Sequence, residues 1–176
     1  MYQLYLSLGS NIEKERNLPL AVKLLAASGR LQGVSQVFET TPVGGQDRPL
    51  FWNAAVLLET GREPSAFKRS VIDAIETELG RVRDPRDKNA PRTIDIDLAL
   101  WRLAAPGGGA WAAWQVSDPD ILRFVHVAAP LADLAPDLVH PVSGERLATI
   151  AARLASDGQD VVALPDVNLT QSEGGR

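Results

Sequence analysis

Residues 90–100 read APRTIDIDLAL, two aspartates set inside one of the most apolar strand candidates of the chain. Strand alternation sends Ile94, Ile96, Leu98 and Leu100 to one face and Asp95, Asp97, Ala99 and Trp101 to the other. One face makes core and the other makes a site. Just upstream, Phe67, Val71, Ile75 and Leu79 recur at four-residue steps between Pro64-Ser65 and Gly80, which predicts a helix. Further back, FWNAAVLLE (51–59) and VSQVFET (34–40) read as strands, separated by TPVGGQDRPL, too long and too rich in Pro and Gly for a tight hairpin turn. Leu18, Val22 and Leu25 mark a helix over 13–28 that Gly29 ends, and YQLYLSL (2–8) alternates as a first strand before the turn signal GSN. The order strand, helix, strand, strand, helix, strand is the split βαβ pattern. It predicts an α+β, ferredoxin-like sandwich, a mainly antiparallel sheet with helices on one face.

The remaining third is an extended C-terminal part. It holds a Gly- and Trp-rich stretch, AAPGGGAWAAW, within 102–116 that reads as a mobile excursion, a helix over 145–155 and a short edge strand VVAL at 161–164. At 176 residues and 45% hydrophobic content, one domain over 1–169 is expected, with 170–176 as a disordered tail. The net charge of −4 gives no global attraction to nucleic acid or to an anionic membrane. With no cysteine, disulfides and Cys-based metal or redox sites are excluded. No signal-peptide pattern and no long uncharged apolar run are present, so the expectation is a soluble cytoplasmic protein. A monomer or weak homo-oligomer is expected, though the sequence itself does not fix the oligomeric state.

Two aspartates on one strand face lie roughly 6–7 Å apart and repel by about 2–3 kcal/mol at an effective dielectric near 20. A divalent cation turns that repulsion into binding, and hard carboxylate oxygens suit Mg²⁺, which completes its shell with substrate phosphates. The alternative is a pair of solvated aspartates held by arginines. Residues 81–92, RVRDPRDKNAPR, set Arg81, Arg83, Arg86, Lys88 and Arg92 against Asp84 and Asp87, a local net charge of +3 beside the acidic pair. Guanidinium forks next to metal-binding carboxylates suit polyphosphate chemistry; the alternative is a solvated loop closed by its own ion pairs. His126 and His140 are far apart in sequence and lack cysteine partners, which argues against zinc. Neither GSNIEKERN nor TPVGGQ ends in the Gly-Lys-Ser/Thr of a Walker A loop, and no Gly-x-Ser-x-Gly elbow occurs.

The chain resembles the 6-hydroxymethyl-7,8-dihydropterin pyrophosphokinase family through LSLGSN (6–11), TTPVGGQDRPLFWNAAVLLET (40–60), IETELGRVR (75–83), NAPRTIDIDLAL (89–100) and PLADLAPDLVHPVSGERL (130–147). The resemblance implies transfer of the β,γ-pyrophosphoryl group of ATP to the 6-hydroxymethyl oxygen of the dihydropterin, leaving AMP, in folate biosynthesis. It implies Asp95 and Asp97 as ligands of two Mg²⁺, Arg81 and Arg92 as the arginines clamping the transferring phosphates, and Glu76 and Ile96 as nucleotide contacts. Helix position alone reads Glu76 as a surface residue. For the pterin it implies the loop Thr41, Pro42, Val43 and Gly44, with Phe51 and Asn53, whose amide donates and accepts at once. Three departures stand out. Asp118 occupies the place of a nucleotide-contacting histidine, and either His126 or Phe124 takes the place of the stacking phenylalanine. Asn89 falls where some members carry a capping tryptophan, a part Trp111 or Trp114 could assume. Other readings stay open: a metal-dependent nucleotidyl transferase or phosphodiesterase of the same fold, and a non-catalytic pterin- or nucleotide-binding homologue.

Overall fold

A computed structural model describes residues 1–42, 48–87, 90–105 and 110–170. Its sheet is built from β1 (Tyr2–Ser10), β2 (Arg30–Val34), β3 (Val37–Thr40), β4 (Phe51–Thr60), β5 (Asp95–Leu103), β6 (Gln115–Val116) and β7 (Val162–Leu164). The order is β6-β5-β1-β4-β3-β7, with β2 also pairing β4, and the neighbouring strands run antiparallel. The central β5-β1-β4 arrangement, with the return strands beyond β4, is the expected ferredoxin-like sandwich. The strand expected over 34–40 is two strands broken at Ser35-Gln36. Ser35 turns inward there, exchanging hydrogen bonds with Ala55: its N–H donates to the carbonyl at 2.9 Å and its Oγ accepts the Ala55 N–H at 2.8 Å.

One face of the sheet buries Leu4, Leu6, Leu8, Val56, Leu58, Ile94, Ile96 and Leu98 against α1 (Lys14–Ser28) and a second helical stretch. That stretch is α2 (Pro64–Phe67), a π-helical turn (Lys68–Ile72) and α3 (Asp73–Glu78) in direct succession. A four-residue step drifts by roughly 40° per step on an ideal α-helix. The wider π-turn takes up that drift, so Phe67, Val71, Ile75 and Leu79 all stay buried in one core. Gly80, at φ 73°, ends the stretch in the left-handed region. Gly29 ends α1 differently. Its backbone is extended, and a Cβ there would meet the Glu59 carbonyl oxygen at 2.6 Å, so close strand approach is what requires the glycine.

The other face is covered too. The C-terminal part supplies α4 (Val125–Leu134) and α5 (Leu147–Ser156), which pack on Tyr5, Ala55, Ala99 and Leu100. A β-bulge makes this possible: Tyr5 pairs Leu100 and Leu6 pairs Leu98, leaving Ala99 as the extra residue. Leu100 therefore joins the face of Ala99, and Trp101 packs beside Tyr2 on the first core, the reverse of the simple alternation. The Ala99 carbonyl is turned outward and accepts N–H groups from Ser117 at 3.0 Å and Asp118 at 3.3 Å. In that way the bulge hangs the segment entering α4 onto the sheet. Of the expected tail, Thr170 closes a turn on the Asn168 side chain, and 171–176 lie outside the described residues. Among the described residues no helix is long and apolar enough to cross a membrane.

Candidate active site

The α4 and α5 layer stops short of one end of the sheet, and a cavity of about 320 Å³ opens there. Its floor follows from strand register. Asp95, Gly9 and Asn53 form one row across β5, β1 and β4, and Asp97, Ser7 and Ala55 form the next. Its opposite wall is the turn before α4 and the first turn of that helix, with Asp118, Asp120, Phe124, His126 and Val127. Thr40, Thr41, Pro42, Phe51 and Arg92 close the side. Space at Gly9 is tight, since a Cβ would lie 3.3 Å from Asn53 Oδ1 and the amide would have to give by a few tenths of an ångström.

The acidic pair is held asymmetrically. Asp95 Oδ1 accepts from Arg81 at 3.1 Å, and its Oδ2 is engaged by Arg92. Arg81 is nearly buried, and that burial lowers its pKa against the pull of Asp95. It also donates to the Ile94 carbonyl at 3.2 Å, while its Nε has no hydrogen-bond partner among the described residues. Asp97 has no hydrogen-bonding or ion-pair partner among the described residues. It keeps solvent contact but is recessed in the cleft, and partial desolvation, then the Asp95 and Asp118 carboxylates, raise its pKa to about 6. Burial also raises the pKa of Asp118. Its carboxylate accepts the Asp120 N–H at 2.9 Å, capping a 3-10 turn over Pro119–Leu122.

This donor set fits Mg²⁺ in a particular way. Among the described residues no group of three or more His, Asp or Glu side chains could hold a metal. Asp97, without a protein partner among the described residues and crowded by carboxylates, and Asp95 beside it offer hard oxygens to an ion that takes its remaining ligands from water and phosphate.

Glu76 is not the surface residue that helix position suggests. It is buried, accepting the Ile96 N–H at 2.9 Å and an Arg83 N–H at 2.8 Å. It thus fixes the β5 backbone between the two aspartates. The Ile96 side chain points into the core, so any ligand contact it makes falls to its backbone. A second cavity of about 400 Å³, lined by Lys68, Leu98, Trp101 and Ser117, shares Asp97 and Asp118 with the first.

On the opposite side, Asn53 is buried and commits its amide group internally, donating to Thr40 Oγ1 at 2.9 Å and to the Phe38 carbonyl at 3.3 Å. Its Oδ1 is left as an acceptor beside the cavity. Both amide hydrogens are directed to Thr40 and Phe38 in this structure, whereas the expectation had the amide donating and accepting toward a ligand. Phe124 and His126 both line the cavity, their rings stacked with centroids 5.2 Å apart and planes at 23°. Burial holds the His126 pKa below its ordinary value, so the ring is neutral at pH 7. The Arg92 guanidinium stands 5.7 Å over the Phe51 ring. Val43, Gly44, Lys88 and Asn89 lie outside the described residues.

The tryptophans are elsewhere. Trp114 packs on Tyr5 with ring centroids 5.0 Å apart, and Arg102 lies over Trp114 at 4.3 Å and over Trp111 at 5.0 Å. Tyr5 is four strand residues from Gly9, roughly 13 Å by strand rise. Neither tryptophan lines the cavity; both rings lie against Arg102, and Trp114 also against Tyr5. Sequence reasoning missed Gly9, Thr40 and Asp120, together with Asn11, which sits behind the site. LSLGSN carried the signal for Gly9 and Asn11, but gave no role for either.

Residues 5–136 match the family described as 7,8-dihydro-6-hydroxymethylpterin-pyrophosphokinase. The chain is 38% identical over 168 residues to the 2-amino-4-hydroxy-6-hydroxymethyldihydropteridine pyrophosphokinase of Methylorubrum extorquens, covering 90% of this chain and 97% of that one. It is 41% identical over 133 residues to the Bacillus subtilis protein of the same name, covering 74% and 76%. The folic acid synthesis protein fol1 of Schizosaccharomyces pombe is 32% identical over 165 residues, 88% of this chain but 21% of that larger one. In fold, the chain is similar to Plasmodium falciparum HPPK-DHPS, with a TM-score of 0.61 at 13% identity, over 89% of this chain and 44% of that one.

Proposed function

This chain belongs to the 7,8-dihydro-6-hydroxymethylpterin-pyrophosphokinase family, and we propose that it moves the β,γ-pyrophosphoryl group of ATP to the hydroxymethyl oxygen of that pterin in folate synthesis. The observation that carries the assignment of residues is the single cavity that sets the Asp95/Asp97 pair and Arg92 against Phe51, Asn53 and His126. One side suits a polyphosphate and the other a flat heterocycle.

In the reaction the substrate hydroxyl oxygen bonds to the β-phosphorus, and the bond from that phosphorus to the α,β-bridging oxygen breaks. AMP leaves with the electron pair, and the hydroxyl proton passes to solvent. Asp95 and Asp97 would hold the Mg²⁺ ions, which would supply neutralisation of triphosphate charge and a more electrophilic β-phosphorus. Arg92 and Arg81 release Asp95 in part and offer guanidinium forks to the transferring phosphates. Glu76 keeps the β5 backbone in register beneath them. On the pterin side, Asn53 Oδ1 accepts an N–H of the ring edge, while the neutral His126 face and Phe51 enclose its planes. Thr41, Pro42, Val43 and Gly44 supply the loop along the other edge. Asp118 and the cavity beyond it receive the nucleoside side.

Turnover measured while Mg²⁺ is raised from zero, in the wild type and in Asp97→Ala, tests the reading. It predicts no turnover without the ion in the wild type and none at any concentration in the variant; metal-independent turnover, or full activity in Asp97→Ala, overturns the metal assignment.

A further inference from the structure

Asn11, the last residue of LSLGSN, lies outside the cavity and is buried at 5% exposure. Its side chain nevertheless touches both strands of chain that feed the site. Asn11 Oδ1 accepts the Arg92 N–H at 2.7 Å, and the Asn11 N–H donates to the Arg92 carbonyl at 3.1 Å, a reciprocal pair joined by the Ile12 N–H at 3.2 Å. The other end of the same amide, Nδ2, donates to the Pro49 carbonyl at 3.1 Å. Pro49 is two residues before Phe51, whose ring faces the Arg92 guanidinium. Neighbouring contacts brace the same junction: Ser10 Oγ donates to the Thr93 carbonyl at 2.6 Å, and Lys14 Nζ to the Leu50 carbonyl at 2.9 Å.

A short side chain that accepts at one end and donates at the other within a rigid plane is needed for this double tie. Asparagine alone among residues of its size provides it; aspartate accepts only and leucine does neither. We propose that Asn11 is a positioning residue that sets the Arg92 segment and the Phe51 segment relative to each other, so that the phosphate and pterin halves of the site are energetically coupled. This inference rests on the functional reading given above. It adds a residue that acts through Arg92 and Phe51 without touching either substrate.

Two variants separate the ties. Asn11→Asp keeps the acceptor for the Arg92 N–H but replaces the donor to Pro49 by a carboxylate oxygen that repels the Pro49 carbonyl, whereas Asn11→Ala loses both bonds without adding a charge. Affinity for the dihydropterin is measured by titration calorimetry with and without a non-hydrolysable ATP analogue and Mg²⁺, together with kcat and each KM. In the wild type the analogue tightens pterin binding. In Asn11→Asp that enhancement falls by at least roughly tenfold, as for loss of one buried hydrogen bond, with kcat lowered and nucleotide affinity measured without pterin unchanged. Asn11→Ala lowers it too, and if it does not fold, Asn11→Asp alone decides. An enhancement in Asn11→Asp equal to that of the wild type overturns the proposal, as does a wild type without any enhancement, even if the variant melts at a lower temperature. A wild type that binds both ligands cooperatively yet forms no AMP would overturn the functional reading and leave the coupling standing.

Discussion

Replacing Asp97 by asparagine removes the ionised form of a site carboxylate that has no protein partner among the described residues, while keeping its shape. The folded protein holds this carboxyl at about 6 against an ordinary 3.8. A shift of that size disfavours the folded, ionised protein by up to about 3 kcal/mol at neutral pH. Because Asp97 keeps much of its surface in solvent, screening reduces the figure to about 1 kcal/mol. The sign follows from linkage. A carboxyl whose pKa is raised by folding binds its proton more readily in the folded chain, so its destabilising effect is absent below about 3.8 and grows as pH rises through 6. Asparagine mimics the protonated state at every pH. Urea unfolding of metal-free protein should therefore show Asp97→Asn more stable than the wild type by about 1 kcal/mol at pH 7.5, or roughly 2–4 °C in Tm. The gap should shrink toward zero near pH 4. A variant less stable than the wild type at pH 7.5, or a gain that does not change with pH, would refute the electrostatic account of the acidic pair.

Other expectations follow from single contacts. Arg92→Lys keeps the charge but loses the fork that engages Asp95 and the plane over Phe51, so steady-state kinetics should show kcat lowered by about 100-fold or more with the far-UV spectrum unchanged. Glu76→Gln retains an acceptor for the Ile96 N–H but loses the charged bond to Arg83, and should cost about 2 kcal/mol in urea unfolding, with activity falling as β5 loosens. His126→Phe keeps a flat uncharged ring, so turnover at pH 7.5 should stay within about threefold of the wild type. The variant should also retain pterin affinity at acid pH, where protonation of His126 weakens the wild type.

Much of the sheet was legible because its signals are local. The 2–8 alternation, the apolar strand run at 51–59 and the apolar stripes of the first two helical stretches survive in the structure because each depends on local signals within one element. The face of Leu100 and Trp101 was not legible, because a bulge at Ala99 shifts the register by one residue and nothing in LALW marks it. Nor was α4, whose apolar residues run nearly all round the helix and so lack a helical period; it contains Pro130 and is buried against β4 by tertiary packing. At the site, residue types were readable where chemistry is unusual for its setting, as with two aspartates in an apolar strand beside a basic loop. Partners were not: that Glu76 caps the Ile96 N–H, that Asn53 spends its donors on Thr40 and Phe38, and that His126 stacks with Phe124 all depend on contacts between segments distant in sequence. Trp111 and Trp114 sit in a Gly-rich stretch, which reads as exposed until Arg102 and Tyr5 are seen beneath them.

The central claim is pyrophosphoryl transfer from ATP to the pterin, and chromatography of the nucleotides tests it most directly. The protein is incubated with ATP, Mg²⁺ and 6-hydroxymethyl-7,8-dihydropterin, beside a control without the pterin. The account predicts AMP and a diphosphorylated pterin in equal amounts, and only when the pterin is present. ADP as the nucleotide product, or AMP forming equally well without the pterin, would contradict it.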